Sequence, residues 1–330
     1  MSACCAPTCA TASSSTSPAS SRDYPPGGRL MRTVSRTAFF AALSALCACV
    51  GRSESRIGTP AVPLVVLVSP AHAPSGDTEP LRVLEYLLSS QSGLSVVVQA
   101  AATPADAIEL FGRRMADAGI LTLDEALLAK EEYGVRFDLQ VLRGKGDKEY
   151  DAVILVKAKN KAKSVSELKG KPFGFVDPYS VSGFLLPAQH LKKAGVEVES
   201  EFLGGHAKAL QALLEGGVAA IATYEDAAKS KGVRILAKTG VVPNEPVAFR
   251  KGLRPEKREA LMKAMKALAD SEEGRKALLA VAGITGFGPV EDGAYRGVHE
   301  SLQEAEKTVY DLVPGGDEIR RLNQPYVDVR

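Results

Sequence analysis

Apolar and polar positions along this chain fall into two rhythms. Short unbroken apolar runs occur at Pro63 to Ser69 (PLVVLVS), Leu94 to Val98, Asp151 to Val156, Pro172 to Val176 and Val218 to Ala222. Runs of that length, bounded by turn residues, predict strands buried on both faces, as in a parallel sheet. Between them the apolar positions recur at helical spacing. Leu81 to Ser89 reads as a helix. Pro104 to Met115 places Ile108, Phe111 and Met115 on one face, and Ala207 to Leu214 turns Leu210, Leu213 and Leu214 inward. Pro255 to Ala269 carries proline at its first position, with Leu261, Met262, Met265 and Leu268 on one side. Glu272 to Ala282 and Tyr295 to Leu312 complete the helices. Strands alternating with helices predict an α/β protein with mostly parallel sheets.

One pattern occurs twice. Residues 119–137 read GILTLDEALLAKEEYGVRF and residues 220–236 read AIATYEDAAKSKGVRIL. Each runs strand, Thr-x-acid-acid, helix, Gly-Val-Arg and a new strand. Two equivalent βα units predict two similar lobes, their Thr-x-acid-acid turns at strand ends facing a shared cleft. Thr122 with Glu125 forms a true Thr-x-x-Glu capping box, and Thr223 with Asp226 imitates one.

Composition adds limits. The 330 residues are 45% apolar and 24% charged, ordinary for a folded globular protein. The whole-chain charge is +2, but residues 1–49 hold Arg22, Arg29, Arg32 and Arg36 against Asp23. The remainder carries 37 basic and 38 acidic side chains, a net of −1, which gives no footprint for nucleic acid. Cys4, Cys5, Cys9, Cys47 and Cys49 all precede residue 50, so the rest of the chain holds no disulfide, cysteine ligand or cysteine nucleophile. Residues 1–30 are rich in Ser, Ala, Pro and Thr and read as disordered or as translation from a start placed too early. From Met31, Arg32 and Arg36 precede the apolar run Ala38 to Leu46, the proportions of a secretory signal. It ends Leu46-Cys47-Ala48-Cys49, a lipobox-like sequence that makes Cys49 the expected lipidated residue. A conventionally cleaved signal is the other reading. Residues 50–60 are expected to serve as a tether.

The densest chemistry lies at residues 171–187, KPFGFVDPYSVSGFLLP. An apolar strand ends in Asp177-Pro178, the small-residue turn Ser180-Val181-Ser182-Gly183 follows, and a helix runs from Phe184 to Ala194. Hydroxyls and free backbone N–H groups at a helix N-terminus suit an anion, and strand C-terminal ends are where open α/β sheets hold ligands. Ser182 is expected at the N-cap, with Ser180 shaping the turn; a cap alone would explain both.

This wording resembles the solute-binding proteins of phosphonate/phosphate/phosphite ABC transporters. The resemblance runs through Asp177-Pro178, Ser180-Val181-Ser182-Gly183, Gly204-Gly205-His206, Ala222-Thr223-Tyr224-Glu225-Asp226 and Val242-Pro243-Asn244-Glu245-Pro246, over roughly residues 63–315. It implies a two-lobed type II periplasmic binding fold with a hinge and an interdomain cleft: residues 61–150 plus 245–330 as lobe one and 151–244 as lobe two. It implies ligand contacts from Ser180, Val181, Ser182, Gly183, His206, Tyr224, Glu225 and Glu245. In lobe one the family's two ligand tyrosines are replaced by Ile120-Leu121-Thr122 and Thr103-Pro104-Ala105, leaving Ser69 and Thr122 as the hydroxyls that can substitute. A carboxylate such as Glu225 or Glu245 beside an anion requires a proton or a cation between them. His72 and His190 show no partner in sequence, and Lys161 to Lys171 reads as a solvated basic run.

The implied function is capture of a small oxyanion and delivery to an ABC permease, by a monomer with no cofactor and no metal. An accessory or sensing receptor on the same fold is the alternative. An enzyme would need a nucleophile paired with a base, or a metal set, and no spacing here supplies either.

Overall fold

The computed structural model describes residues 52–74, 76–281 and 283–322. In chain order the first part runs β1 (Leu64–Val68), α1 (Glu79–Ser92), β2 (Val96–Ala100), α2 (Pro104–Gly112), β3 (Ala118–Ile120), α3 (Leu123–Tyr133) and β4 (Arg136–Leu142). A middle part follows: β5 (Glu149–Lys157), β6 (Pro172–Phe175), α4 (Leu186–Lys193), β7 (Glu199–Phe202), α5 (His206–Glu215), β8 (Ala220–Tyr224) and β9 (Val233–Pro243). The chain then returns through β10 (Pro246–Phe249), α6 (Pro255–Ala267), α7 (Glu272–Ala280), β11 (Gly286–Pro289), α8 (Arg296–Glu304) and α9 (Gly316–Leu322).

Two sheets result. One has the order β11-β4-β10-β3-β1-β2 and the other β7-β6-β8-β5-β9. The chain passes between them after β4 and again between β9 and β10, and at the second sheet's end Glu149 pairs with Pro243. The two passages therefore run side by side. The sheets are mixed rather than mostly parallel: β1 pairs in parallel with β2 and β3, and β6 with β7 and β8. β10 is antiparallel to both β3 and β4, β11 to β4, and β5 to both β8 and β9. A strand that leaves one sheet and another that returns must run in opposite directions, which makes the passages antiparallel however β-α-β the rest is.

Apolar continuity explains the central strands. Ala152 to Val156 and Ala220 to Ala222 are all at 0% exposure, covered on one face by Leu213, Val218 and Ala209 and on the other by Phe173, Leu168 and Leu191. Three helices differ from the reading of the sequence. Met115 is 53% exposed because α2 stops at Gly112 and Arg114 turns the chain with φ 58. Leu214 is 43% exposed, Leu213 and Ala209 taking the buried stripe. The helix expected over 295–312 breaks at Glu306 (φ 55) into α8 and a 3-10 turn, Val309–Leu312.

From Arg52 the stretch expected as a tether is held against the first sheet. Arg52 donates to Asp117 Oδ2 (2.7 Å), Arg250 bridges Glu54 and Asp117, and the Lys257 ammonium donates to the carbonyls of Glu54 (2.7 Å), Ser55 (3.0 Å) and Ile57. Among the described residues no helix is long and apolar enough to cross a membrane.

Candidate functional site

Strand β6 delivers the turn. Beyond Phe175, Asp177 Oδ1 accepts from the N–H groups of Tyr179 (2.8 Å) and Ser180 (2.9 Å), a side-chain-closed turn of the kind aspartate favours before proline. A π-helical turn, Val181–Leu185, then leads directly into α4. The capping residue is Ser180, not Ser182: Ser180 Oγ accepts from Gly183 N at 2.9 Å. The wider π turn moves the cap two residues earlier than an α-helical start would require, and such turns concentrate at functional sites. Val176 N donates to Gly183 O (3.0 Å) and Gly204 N to Val176 O (2.7 Å), tying the turn to the loop that carries His206. A Cβ on Gly183 would stand 2.5 Å from Val176 Cβ, so only glycine fits that crossing. The N–H groups of Val181 and Ser182 have no acceptor among the described residues.

The remaining groups of this half surround that turn. Gly204 and Gly205, at φ 75 and 146, are in backbone regions open to glycine and bring His206 to the first position of α5. His206 Nδ1 lies 2.9 Å from Thr223 Oγ1, and its ring meets Tyr224 edge-on at 4.8 Å. Burial lowers the His206 pKa below the ordinary histidine value, with Asp177 pulling the other way. Thr223 is therefore a partner of histidine rather than a helix cap; the following 3-10 turn starts from Tyr224, and Asp226 pairs with Lys229. Tyr150, on β5, packs edge-on against Tyr224 at 6.3 Å. Burial pushes the pKa of its hydroxyl up to about 12.

The facing half is acidic and mostly neutralised. Ser69, fully buried, donates to Glu125 Oε1 (2.9 Å), and Thr122 N donates to Glu125 Oε2 (3.0 Å), completing the reciprocal half of the capping box. Burial raises the pKa of Glu125. Glu245 lies between β9 and β10 and is gripped by Arg143 through both guanidinium nitrogens, Nη2 to Oε1 at 2.7 Å and Nη1 to Oε2. His72, which has no visible partner in sequence, places Nε2 3.0 Å from Glu245 Oε1. Burial opposes ionisation of Glu245, yet its bonds to His72 and Arg143 prevail and hold its pKa far below the usual carboxylate range. Asp124 is the opposite case. Burial and the neighbouring Glu125 raise its pKa to about 7, with a smaller push from Asp177.

Of the residues singled out in the sequence, Ser180, Val181, Ser182, Gly183, His206 and Tyr224 come together in one half. Glu245 lies at the passage between halves, and Thr122 sits at the start of α3. Ser69 has its hydroxyl engaged inside the protein, accepting from Ala71 N (3.1 Å) as well as donating to Glu125. Glu225 is half-exposed and 3.4 Å from Lys238, which also binds Asp151. Sequence reading missed Tyr150, Arg143, His72 and Asp124. Only Asp124, inside the repeated Thr-x-acid-acid turn, had a local signal. Cys49 lies outside the described residues. No group of three or more His, Cys, Asp or Glu side chains suited to a metal occurs among the described residues.

Two α/β lobes joined by paired passages, with an anion-suited turn at a strand end, define a type II periplasmic binding fold. The chain matches, over residues 68–295, the family described as ABC transporter, phosphonate, periplasmic substrate-binding protein, and it belongs to that family. Solved structures agree in fold. One is a binding protein component of an ABC phosphonate transporter from Pseudomonas aeruginosa, 16% identical, TM-score 0.56, covering 80% of this chain and 95% of that one. A second is PhnD1 from Prochlorococcus marinus in complex with methylphosphonate, 18% identical, TM-score 0.56, covering 74% and 98%. A third, from Xanthomonas citri and bound to chloride ion, is 19% identical with TM-score 0.58, covering 78% and 99%. No curated protein matches the chain.

Proposed function

We propose that this chain is the extracytoplasmic receptor of an ABC importer and captures a small phosphorus oxyanion (phosphonate, phosphite or phosphate) between its lobes. The observation that carries this reading is the turn Ser180–Gly183, whose Val181 and Ser182 N–H groups are unclaimed at the head of a helix. Amides there present partial positive charge to an oxyanion without a counter-ion. Ser180 keeps its hydroxyl proton to donate while its oxygen caps Gly183. When Thr223 donates to Nδ1, neutral His206 carries its proton on Nε2 as a further donor. Tyr150, packed edge-on against Tyr224, brings an aromatic hydroxyl to a site lacking the family's lobe-one tyrosines.

In this reading residues 61–150 plus 245–330 and residues 151–244 are the bodies that close on the ligand. A lipid on Cys49 holds the monomer at the membrane beside its permease, and no bond is made or broken. The test is thermal unfolding with phosphate, phosphite, alkylphosphonates, 2-aminoethylphosphonate, sulfate and small carboxylates. A ligand at about 100 times its dissociation constant adds about 2.7 kcal/mol to stability. A shift with a phosphorus oxyanion that is lost in Ser180→Ala/Ser182→Ala is the expected result. No shift with any of them sinks the transport reading and leaves a sensing receptor in its place.

A further inference from the structure

We propose that the end of the first sheet where β1 and β3 begin is a membrane-docking face, its partner the anionic phospholipid surface of a bilayer. The inference goes beyond ligand capture and takes only the extracytoplasmic location, with Cys49 as the anchor, from the reading above.

Hydrogen bonds gather this face from three stretches of chain. β1 and β3 run parallel, and Ala118, the first residue of β3, pairs with Phe249, the last of β10. The starts of β1 and β3 therefore share one end of the sheet with the finish of β10, while Ser69 and Thr122 follow the opposite ends of β1 and β3. At the first end Arg52 donates to the carbonyls of Pro63 (2.8 Å) and Arg114 (2.7 Å). Glu54 accepts from Arg114 and, at 2.7 and 2.9 Å, from Arg250. Arg250 also donates to Oδ1 of the fully buried Asp117 (3.0 Å), and Lys257 donates to carbonyls of the segment 54–57. Residues 52–58, 113–117 and 250–258 thus form one surface.

Charge sets that surface apart. The three stretches hold nine basic side chains against three acidic ones, although the chain from residue 50 onward is at net −1. Everything else beyond residue 49 is therefore at net −7. Two of the three acids, Glu54 and Asp117, are tied up inward by arginine. Arg56, Arg113, Lys251 and Arg254 face solvent. Arg113 pairs with Glu109 and Arg254 with Glu256, yet both remain half-exposed, where such pairs hold weakly. Met115, exposed in the same turn as Arg113, adds an apolar tip. Cations around an exposed apolar side chain suit a layer of anionic headgroups, the cations at the phosphates and the apolar tip beneath them.

The chain itself leads to the bilayer at this point. Cys49 is three peptide steps from Arg52, at most about 11 Å of backbone. A lipid on Cys49 would bring this end of the sheet to the membrane. Ser69 and Thr122 then lie on the side away from the bilayer, so ligand is collected in this posture and delivery to a permease needs the face to let go. An attraction that salt screens within about 10 Å permits that release.

The chain has no tryptophan, so Met115→Trp places a single fluorophore on the face. The full chain carrying it, with Cys49→Ser to remove the lipid, is titrated with vesicles of phosphatidylcholine alone or with about 30% phosphatidylglycerol. The expected result is a blue shift, with quenching by brominated lipid, in the anionic vesicles only and lost at high salt. Tyr179→Trp in place of Met115→Trp shows neither. Flotation, which needs no fluorophore, should find that Arg113→Glu/Arg254→Glu weakens partition into anionic vesicles at least about tenfold. Vesicle binding that leaves the fluorophore in water means that the leader holds the lipid, and it overturns the inference. So does a partition unchanged by the double reversal, and so does no binding at all, which turns the face toward an acidic protein partner. The thermal shift with a phosphorus oxyanion, read on the same samples, tests the ligand reading separately.

Discussion

Arg143 and Glu245 are joined by a two-pronged ion pair that spans the two passages between the sheets, one residue just beyond β4 and the other just before β10. Bidentate geometry gives this pair direction as well as attraction. Removing one partner of a buried pair costs about 3–5 kcal/mol, because the other charge is stranded. Arg143→Ala is expected to lower the unfolding midpoint by roughly 10 °C at neutral pH. The Glu245 pKa is depressed in the fold, so its stabilisation is complete above the unfolded value of 4.5 and is lost as pH falls through the folded value. Melting curves across acid pH should show a shallower decline in Arg143→Ala than in the wild type.

Gly183 is fixed by contact rather than by backbone angle. A methyl there would press on Val176 Cβ at 2.5 Å and on Ser180 Oγ at 2.8 Å. Gly183→Ala should cost about 1–3 kcal/mol as an overpacked site. It should also displace the cap and weaken oxyanion binding, while Ser180→Ala, which removes the cap together with the proposed ligand donor, should cost about 1 kcal/mol of stability. Chemical denaturation of both variants beside the wild type measures the difference.

His206 is held neutral by burial, its pKa below the ordinary 6.5. Its favourable contribution is therefore present above 6.5 and declines as pH falls through the lower folded value, where the buried ring must charge. An NMR titration should find this ring below 6.5. Because Asp177 raises the value, Asp177→Asn should lower it further. An unchanged or raised value in that variant contradicts the assignment.

Lys257 is nearly buried and donates to three backbone carbonyls of the segment 54–57. Lys257→Met keeps most of the stem's packing and removes the donors. Unsatisfied buried carbonyls cost about 1–3 kcal/mol each at most sites. Hydrogen exchange and proteolysis at residues 52–58 should quicken before either lobe is affected. Unchanged protection there would show that Arg250 and Arg52 hold the segment without it.

How far the sequence could be read depended on distance along the chain. The strands buried on both faces, β1, β5, β6 and β8, are legible because their apolar runs are local and unbroken. β7 (Glu-Ser-Glu-Phe) is exposed throughout, and β11 (Gly-Phe-Gly-Pro) has too little apolar character to announce a strand. β10 is a four-residue strand after Asn-Glu-Pro and reads as loop, yet it lies between β3 and β4. The family resemblance was legible in the turn around Ser180 and in Gly204-Gly205-His206, both backbone motifs. The pairing within the charged half of the site was not. Glu245 meets Arg143 102 residues away, and nothing near either one in sequence shows it. Thr223 was misread as a cap because its true partner, His206, lies 17 residues earlier.

The passages between the sheets are stitched as well as paired. Asn244 donates to the carbonyls of Asp147 (2.8 Å) and Val141 (3.2 Å), Gln140 donates to those of Lys148 (2.9 Å) and Asn244 (3.1 Å), and Tyr295 donates to Asn244 O at 3.2 Å. Glu245 directly follows Asn244. The stitched passages and the buried Arg143–Glu245 charge pair therefore share the same few atoms. If the lobes close on a ligand as proposed, whatever disturbs that charge acts on the passages themselves. A partner that feels only the angle between the lobes would in effect be reading an electrometer.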